Sequence, residues 1–222
     1  MKSGQVEIHL ILPDANGEPC FLTASEQERA GRFRFEDDRR RWSACRSALR
    51  NILAHELGMA AADVPIVIDS MGKPLLTAPW QDLHFNLSHC DGLAVVALSR
   101  DAPVGIDIEC ETRAASLVEC ETTFCHPAEI ASLPSKASDR AIALLEIWTA
   151  KEALLKAVGI GLTIAPEKLR IDFTARPFRA IADPFDPEIS KQRVHPLAHP
   201  LLRGYRGHLS IKSQIGEVRY VG

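Results

Sequence analysis

The chain has 222 residues, 46% of them hydrophobic, with 26 Lys and Arg against 29 Asp and Glu for a formal net charge of −3. This is ordinary globular composition, with enough mass for one large packed domain or two small ones. The slight acidic balance argues against a general nucleic-acid binder, which carries a basic surplus, and no stretch approaches the ~20 apolar residues of a membrane span. The N-terminal stretch MKSGQVEIHLILPDANG lacks the long apolar run of a secretory signal. Six cysteines (Cys20, Cys45, Cys90, Cys110, Cys120 and Cys125) are scattered without a C-x-x-C pair. They read as reduced thiols of a cytoplasmic protein rather than as a disulfide or zinc framework.

In chain order, residues 6–12 (VEIHLIL) are β-prone and are followed by the turn signals Pro13-Asp14 and Asn16-Gly17. Ser25 begins S-E-Q-E, which predicts a capping box at a helix start. Over 38–57, Trp42, Cys45, Leu49, Ile52, Leu53 and Leu57 recur at helical spacing, predicting a helix with a basic outer face that ends at Gly58. Short strands are predicted at 64–68, 85–87, 93–98 and 104–108, with a tight turn at Gly72-Lys73-Pro74. Helices are predicted over 127–133 and 141–158, the second ended by Gly159, and strands at 169–173, 207–211 and 217–221. The segment 176–200 has five prolines and no clear period, and reads as an irregular excursion.

One internal echo stands out. Trp42-Ser43-Ala44-Cys45-Arg46-Ser47-Ala48-Leu49-Arg50 lines up with Trp148-Thr149-Ala150-Lys151-Glu152-Ala153-Leu154-Leu155-Lys156, nearly half the chain away. Chance similarity between two Ala/Leu-rich helices would produce this. So would two related halves, each a helix on a small sheet, with a ligand at their junction.

Asp107 and Glu109 are separated by one residue on a predicted strand, so their side chains share a face with apolar residues opposite. Like charges so placed repel unless a cation sits between them, and an all-oxygen set suits a hard ion such as Mg²⁺. A solvated acidic face on an edge strand is the plainer reading. Glu152 and Lys156 are i, i+4 on the long helix, with Trp148 one turn earlier on the same face and Lys151 pointing away. Alone they are a common surface ion pair; beside Asp107 and Glu109 they would give a proton or metal ligand and a phosphate contact. Further anion-binding candidates are Lys73 in its turn, Ser88 and His89 at a strand end, Arg29 and Arg32, and the run Arg39, Arg40 and Arg41. Ser88 and His89 do not form a nucleophile pair, because neighbouring strand residues face opposite ways.

The order Gly72-Lys73-Pro74, Phe85-Asn86-Leu87-Ser88-His89, Val104-Gly105-Ile106-Asp107-Ile108-Glu109 and Trp148 through Lys156 resembles the 4′-phosphopantetheinyl transferases of the Sfp type, with Arg29-Ala30-Gly31-Arg32-Phe33 and Asp38 extending the match upstream. The resemblance implies an α+β fold of two similar α/β halves related by a pseudo-twofold axis, with the ligand site at their interface. It divides the chain into 1–103, with nucleotide-phosphate contacts, and 104–222, with the metal site and catalytic helix. It implies transfer of the phosphopantetheine arm of coenzyme A to a serine of an apo acyl or peptidyl carrier protein. The reaction would depend on Mg²⁺, or on Mn²⁺ in its place, and would release adenosine 3′,5′-bisphosphate.

Position by position, the resemblance implies Asp107, Glu109 and Glu152 as metal ligands and Asp107, Glu152 and Lys156 as catalytic. It implies Lys73, Ser88, His89 and Lys156 at the phosphates, Arg29 and Arg41 at the 3′-phosphate, and Gly72, Pro74 and Asn86 as walls of the coenzyme A site. The protein is expected to act as a cytoplasmic monomer, without nucleic-acid or membrane partners. Phe124-Cys125-His126-Pro127 and the loop before Ala141 are expected docking positions for the carrier. Two other functions would use the same residue types: a Mg²⁺-dependent phosphodiesterase or nuclease, and a coenzyme A-binding module without turnover.

Overall fold

The computed structural model describes residues 4–13, 21–212 and 215–221. The predicted turn at Asn16-Gly17, with Asp14 and Cys20, lies outside the described residues. Strand β1 (Gln5–Ile11) is followed by helices α1 (Ala24–Ala30) and α2 (Glu36–Leu57), and by a hairpin of β2 (Ile66–Ile68) and β3 (Pro74–Leu76). Then come β4 (His84–Cys90), β5 (Leu93–Ser99) and β6 (Val104–Cys110). A 3-10 stretch over Glu111–Cys120 leads through the single turns α3 (Glu121–Phe124) and α4 (Pro127–Ile130) into the long α5 (Ala137–Val158). The remainder is β7 (Leu169–Asp172), β8 (Phe178–Ala182), α6 (Pro187–Ser190), β9 (Arg193–Pro196), β10 (Tyr205–Ile211) and β11 (Glu217–Val221).

Two sheets carry this α+β fold, one ordered β11-β1-β5-β4 and the other β6-β10-β9-β8-β7. The alternation along β5 explains how they stack. All seven of its residues are buried, because Ala94, Val96 and Leu98 face α2 with Leu49, Leu53 and Phe85, while Leu93, Val95 and Ala97 face the second sheet. From that sheet Val104, Ile106, Ile108, Leu209 and Ile211 fill the same layer. The far side of the second sheet is covered by α5, whose Leu154 and Leu155 pack with Leu169, Ile171 and Phe178. The layers therefore run α2, first sheet, second sheet, α5, and burial of apolar faces in the three gaps is the main stabilising term. Strand β11 pairs in parallel with β1 in the first sheet.

Two expectations are corrected. The helix-capping box is built two residues earlier than the Ser25 motif: Thr23 caps α1, and the Glu26 carboxylate accepts from Thr23 N at 2.9 Å. Glu26 wins because it turns inward to the half-buried Arg46 and the buried Arg50, whereas Glu28 stays in solvent and pairs with Arg32. The 176–200 segment is no irregular excursion. Phe178, Ala180 and Ala182 are buried and alternate with exposed Arg179 and Ile181, a strand pattern. Its prolines stand at element edges, with Pro187 and Pro200 opening helical turns and Pro196 ending β9.

Candidate active site

The site begins with a close approach of backbone to backbone. On β6, Val104, Ile106 and Ile108 point into the core, which leaves Gly105, Asp107 and Glu109 on the face covered by α5. A Cβ at Gly105 would lie 2.1 Å from Ala153 O and 2.3 Å from Ala157 N. Only a residue without a side chain lets α5 lie this close to the strand, and the approach brings Glu152 and Lys156 to the two acids.

Asp107 is 5% exposed. Its Oδ1 accepts from Lys156 Nζ at 2.7 Å and from Ser88 Oγ at 2.8 Å. Lys156 Nζ also donates to Ile106 O at 3.3 Å. Asp107 Oδ2 is buried with no hydrogen-bond partner, and an orphaned carboxylate oxygen is costly unless something joins it. Ser88 Oγ in turn accepts from Ile108 N at 3.3 Å, and Asn86 Oδ1 accepts from Ile106 N at 2.9 Å. The edges of the two sheets are thus joined by side chains of β4 rather than by a backbone ladder.

A cavity of about 370 Å³ is lined by Ser88, His89, Asp107, Glu109, Glu152 and Lys156, together with Arg113 and Trp148. Burial raises the Glu152 carboxyl above its ordinary range, with Lys156 opposing the rise and Asp107 adding to it. Burial raises Glu109 as well, against the opposing charge of Arg113. Arg113 makes an ion pair with Glu109 and lies 5.9 Å from the centre of the Trp148 ring.

Next to this cavity lies another of about 320 Å³, lined by Arg29, Gly72, Pro74, Asn86 and His89 among others. The Arg29 guanidinium stands 5.5 Å from the Trp42 ring centre. Its polar floor is Glu26 held between Arg46 and Arg50, the latter at 2.6 Å. Arg41 belongs to a third hollow of about 560 Å³, where it pairs with Asp38 at 2.7 Å and Asp91 at 3.4 Å. His89 borders all three hollows, so they adjoin one another at this side chain.

The structure brings together Asp107, Glu109, Glu152, Lys156, Ser88 and His89, and it joins Arg29, Gly72, Pro74 and Asn86 along the neighbouring wall. Two placements differ from expectation. Lys73 lines neither cavity; its Nζ donates to Lys156 O at 2.6 Å. The expected metal ligands are not gathered as a cluster, and among the described residues no three His, Cys, Asp or Glu side chains form one, because Glu109 is turned onto Arg113. The donor set still fits a hard divalent ion in kind. Asp107 Oδ2 is orphaned, and three carboxylates line one cavity.

Two family profiles match in succession, "4′-phosphopantetheinyl transferase, N-terminal" over residues 19–101 and "4′-phosphopantetheinyl transferase superfamily" over residues 103–203. The chain belongs to this superfamily. It is 37% identical over 146 residues to 4′-phosphopantetheinyl transferase HetI of Nostoc sp., a match covering 64% of this chain and 61% of that protein. It is 33% identical over 157 residues to 4′-phosphopantetheinyl transferase psf-1 of Bacillus pumilus, covering 70% of this chain and 64% of that protein. A mouse relative, L-aminoadipate-semialdehyde dehydrogenase-phosphopantetheinyl transferase, is 28% identical over 170 residues, or 68% and 52% of the two chains. The matched stretch thus spans little more than half to just under two thirds of these relatives' own length.

Sequence reasoning missed Arg113, Arg46 and Arg50. Arg113 follows Glu109 by four residues, a spacing that signals a pair only in a helix, and here the chain leaves the strand into a 3-10 stretch at Glu111. Arg46 and Arg50 were marked by the internal echo, where they occupy the places of Glu152 and Lys156.

Proposed function

We propose that the chain is a 4′-phosphopantetheinyl transferase that moves the phosphopantetheine arm of coenzyme A to a serine hydroxyl of an apo acyl or peptidyl carrier protein. Adenosine 3′,5′-bisphosphate leaves. The observation that carries this reading is the meeting of Asp107, Glu109, Glu152 and Lys156 in one cavity, beside a wall of Arg29, Gly72, Pro74 and His89. Superfamily membership selects it over phosphodiester hydrolysis or simple binding.

The nucleotide end lies along the Arg29–Trp42 wall, with His89 at the phosphates where the cavities join. Lys156 Nζ, already held by Asp107, neutralises charge on the leaving phosphate. Glu152 takes the proton of the acceptor hydroxyl at a carboxylate oxygen. Its raised pKa, due first to burial, moves it toward the range in which a general base works best. Most of the remaining task is positioning and charge neutralisation. Asp107 Oδ2, Glu152 and, after release from Arg113, Glu109 would hold Mg²⁺ or Mn²⁺. Such an ion, when bound, offsets charge on the pyrophosphate oxygens.

The finer architecture belongs to the same proposal. Two halves, 1–103 and 104–222, are related by a pseudo-twofold axis. Supporting this, the echoed segments of α2 and α5 have matching burial: Ser43 and Thr149, Ala44 and Ala150, Cys45 and Lys151, Ser47 and Ala153, and Leu49 and Leu155 are all buried. A single chain then supplies its own interface and acts as a monomer. No helix among the described residues is long and apolar enough to cross a membrane.

The deciding experiment incubates the protein with coenzyme A, Mg²⁺ and an apo carrier protein, and reads the carrier's intact mass. A gain of one phosphopantetheine arm on the carrier serine is expected. Release of adenosine 3′,5′-bisphosphate with an unmodified carrier would mean hydrolysis instead. An unmodified carrier with intact, bound coenzyme A would leave a binding module.

A further inference from the structure

Gly72 and Pro74 line the cavity assigned above to the nucleotide, but the residue between them does not. Lys73 faces a separate hollow of about 390 Å³ bounded by Asp69, Val104, Ala157 and Gly159. Its half-buried ammonium donates to Lys156 O at 2.6 Å. This contact falls at the end of α5, where Gly159 takes up a left-handed conformation and donates to Leu155 O. The last four carbonyls of a helix have no intrahelical partner, and a cation there complements the negative end of the helix dipole. Lys73 therefore caps the peptide of the very residue whose ammonium grips Asp107.

The other end of this link is equally fixed. Asp69 Oδ1 accepts from Lys73 N at 2.8 Å and from Met71 N at 2.9 Å. Asp69 N donates to Lys73 O, and Gly72 N to Asp69 O, each at 3.0 Å. Gly72 sits at φ +84°, a backbone state that disfavours any side chain. The turn thus presents its cavity wall on one side and the Lys73 stem on the other.

We infer that Lys73 is a positioning residue for Lys156: it ties the last turn of the catalytic helix to the hairpin that walls the nucleotide cavity, and it does not bind a ligand phosphate. This rests on the transferase reading above for its kinetic consequence, though not for the link itself. Its ammonium stands in a hollow that none of Arg29, Arg46 and His89 lines.

The test compares Lys73→Met, which keeps the stem and loses the donor, with Lys73→Arg, which restores a cation. Coenzyme A affinity is measured by calorimetry, and kcat by carrier mass. For Lys73→Met, kcat should fall about 10–100-fold, the scale of a displacement of about 1 Å, while coenzyme A affinity stays within about twofold and Lys73→Arg regains most of the rate. A tenfold or greater loss of affinity at unchanged kcat would make Lys73 a phosphate ligand and overturn the inference, as would wild-type behaviour in both measures. If Lys73→Met does not fold, Lys73→Ala, which also lacks a donor, replaces it and is held to the same outcomes. If the wild-type protein transfers nothing, the transferase reading fails separately. Amide hydrogen exchange over 153–159 then decides: faster exchange in Lys73→Met but not in Lys73→Arg supports the link, and unchanged exchange refutes it.

Discussion

Replacing Gly105 by alanine adds one methyl group at the point where α5 meets β6. That Cβ would lie 2.1 Å from Ala153 O, 2.3 Å from Ala157 N and 2.9 Å from Ala157 Cα. All three are backbone atoms of one helix, so no side chain can rotate away. To reach ordinary contact at 3.4 Å the helix must recede by more than an ångström. Lys156 and Glu152 ride on that helix, and the Lys156–Asp107 contact now stands at 2.7 Å; the same recession stretches it toward the limit of an ion pair. Overpacking of this kind costs about 1–3 kcal/mol in stability. A misplacement of about 1 Å at a reacting centre costs on the order of 10²-fold in rate. Gly105→Ala should therefore remain folded, with a modest loss in a urea melt and a kcat in the carrier mass assay lower by about two orders of magnitude. A variant with wild-type turnover would show that the approach of α5 to β6 does not set the catalytic geometry, and the argument from Gly105 to Lys156 would fail.

Glu152→Gln should lower kcat by about 10²–10⁴-fold if this carboxylate is the base, with calorimetric coenzyme A affinity little changed; wild-type turnover would remove it from the mechanism. Lys151, 1% exposed, holds Glu129 at 2.6 Å and donates to Phe124 O and Pro166 O. Lys151→Met leaves that buried carboxylate without its cation and should cost about 3–5 kcal/mol, read as a large fall in Tm by calorimetry, whereas an unchanged Tm would deny the pair its structural role. Glu26 supplies a pH dependence: burial works to raise its carboxyl, but bonds from Arg50, the Thr23 backbone and Arg46 outweigh it and hold the pKa at about 2, against 4.5 for the ordinary group. Because the folded-state pKa is the lower, its stabilisation is complete above about pH 4.5 and is lost as pH falls toward 2, a contribution on the order of 3 kcal/mol. The stability gap between wild type and Glu26→Gln in urea melts should narrow over that window; a gap that stays constant would contradict the linkage.

How much of this was legible in the sequence varied with the range of the interaction that decides each feature. The alternation in 104–109 put Asp107 and Glu109 on one face with apolar residues opposite, and the i, i+4 spacing put Glu152 and Lys156 together; both are properties of a single element. That the two pairs face each other followed only from family resemblance, because nothing local says that α5 packs on β6. The signal was present in Gly105, but a strand glycine also marks bulges and bends, and only the 2.1 Å approach separates those readings. Around the prolines of 176–200, turn signals outweighed the alternation of Phe178, Ala180 and Ala182, although a five-residue strand can fit between prolines kept to its margins. The contact of Lys73 with the end of α5 was hidden for a related reason. A Gly-Lys-Pro turn presents its lysine somewhere, and the carbonyl it meets here belongs to a residue 83 positions away.

Asn86 and Ser88 lead the same reasoning one step further. As polar residues at a strand end they read as ligand contacts, yet their side-chain oxygens accept from Ile106 N and Ile108 N and so hold the edge of one sheet to the edge of the other. Ser88 does this while donating to Asp107, so the hydroxyl that orients the carboxylate is also a stitch in the fold. Free energy spent on stacking the sheets therefore places Asp107 as well: the seam cannot open without releasing the carboxylate from Ser88. The orphaned Asp107 Oδ2 is affordable in this setting only because Oδ1 is doubly bound, to Lys156 and Ser88. A carboxylate fixed by one oxygen, with the other left unpaired, has little left to reorganise when a cation arrives.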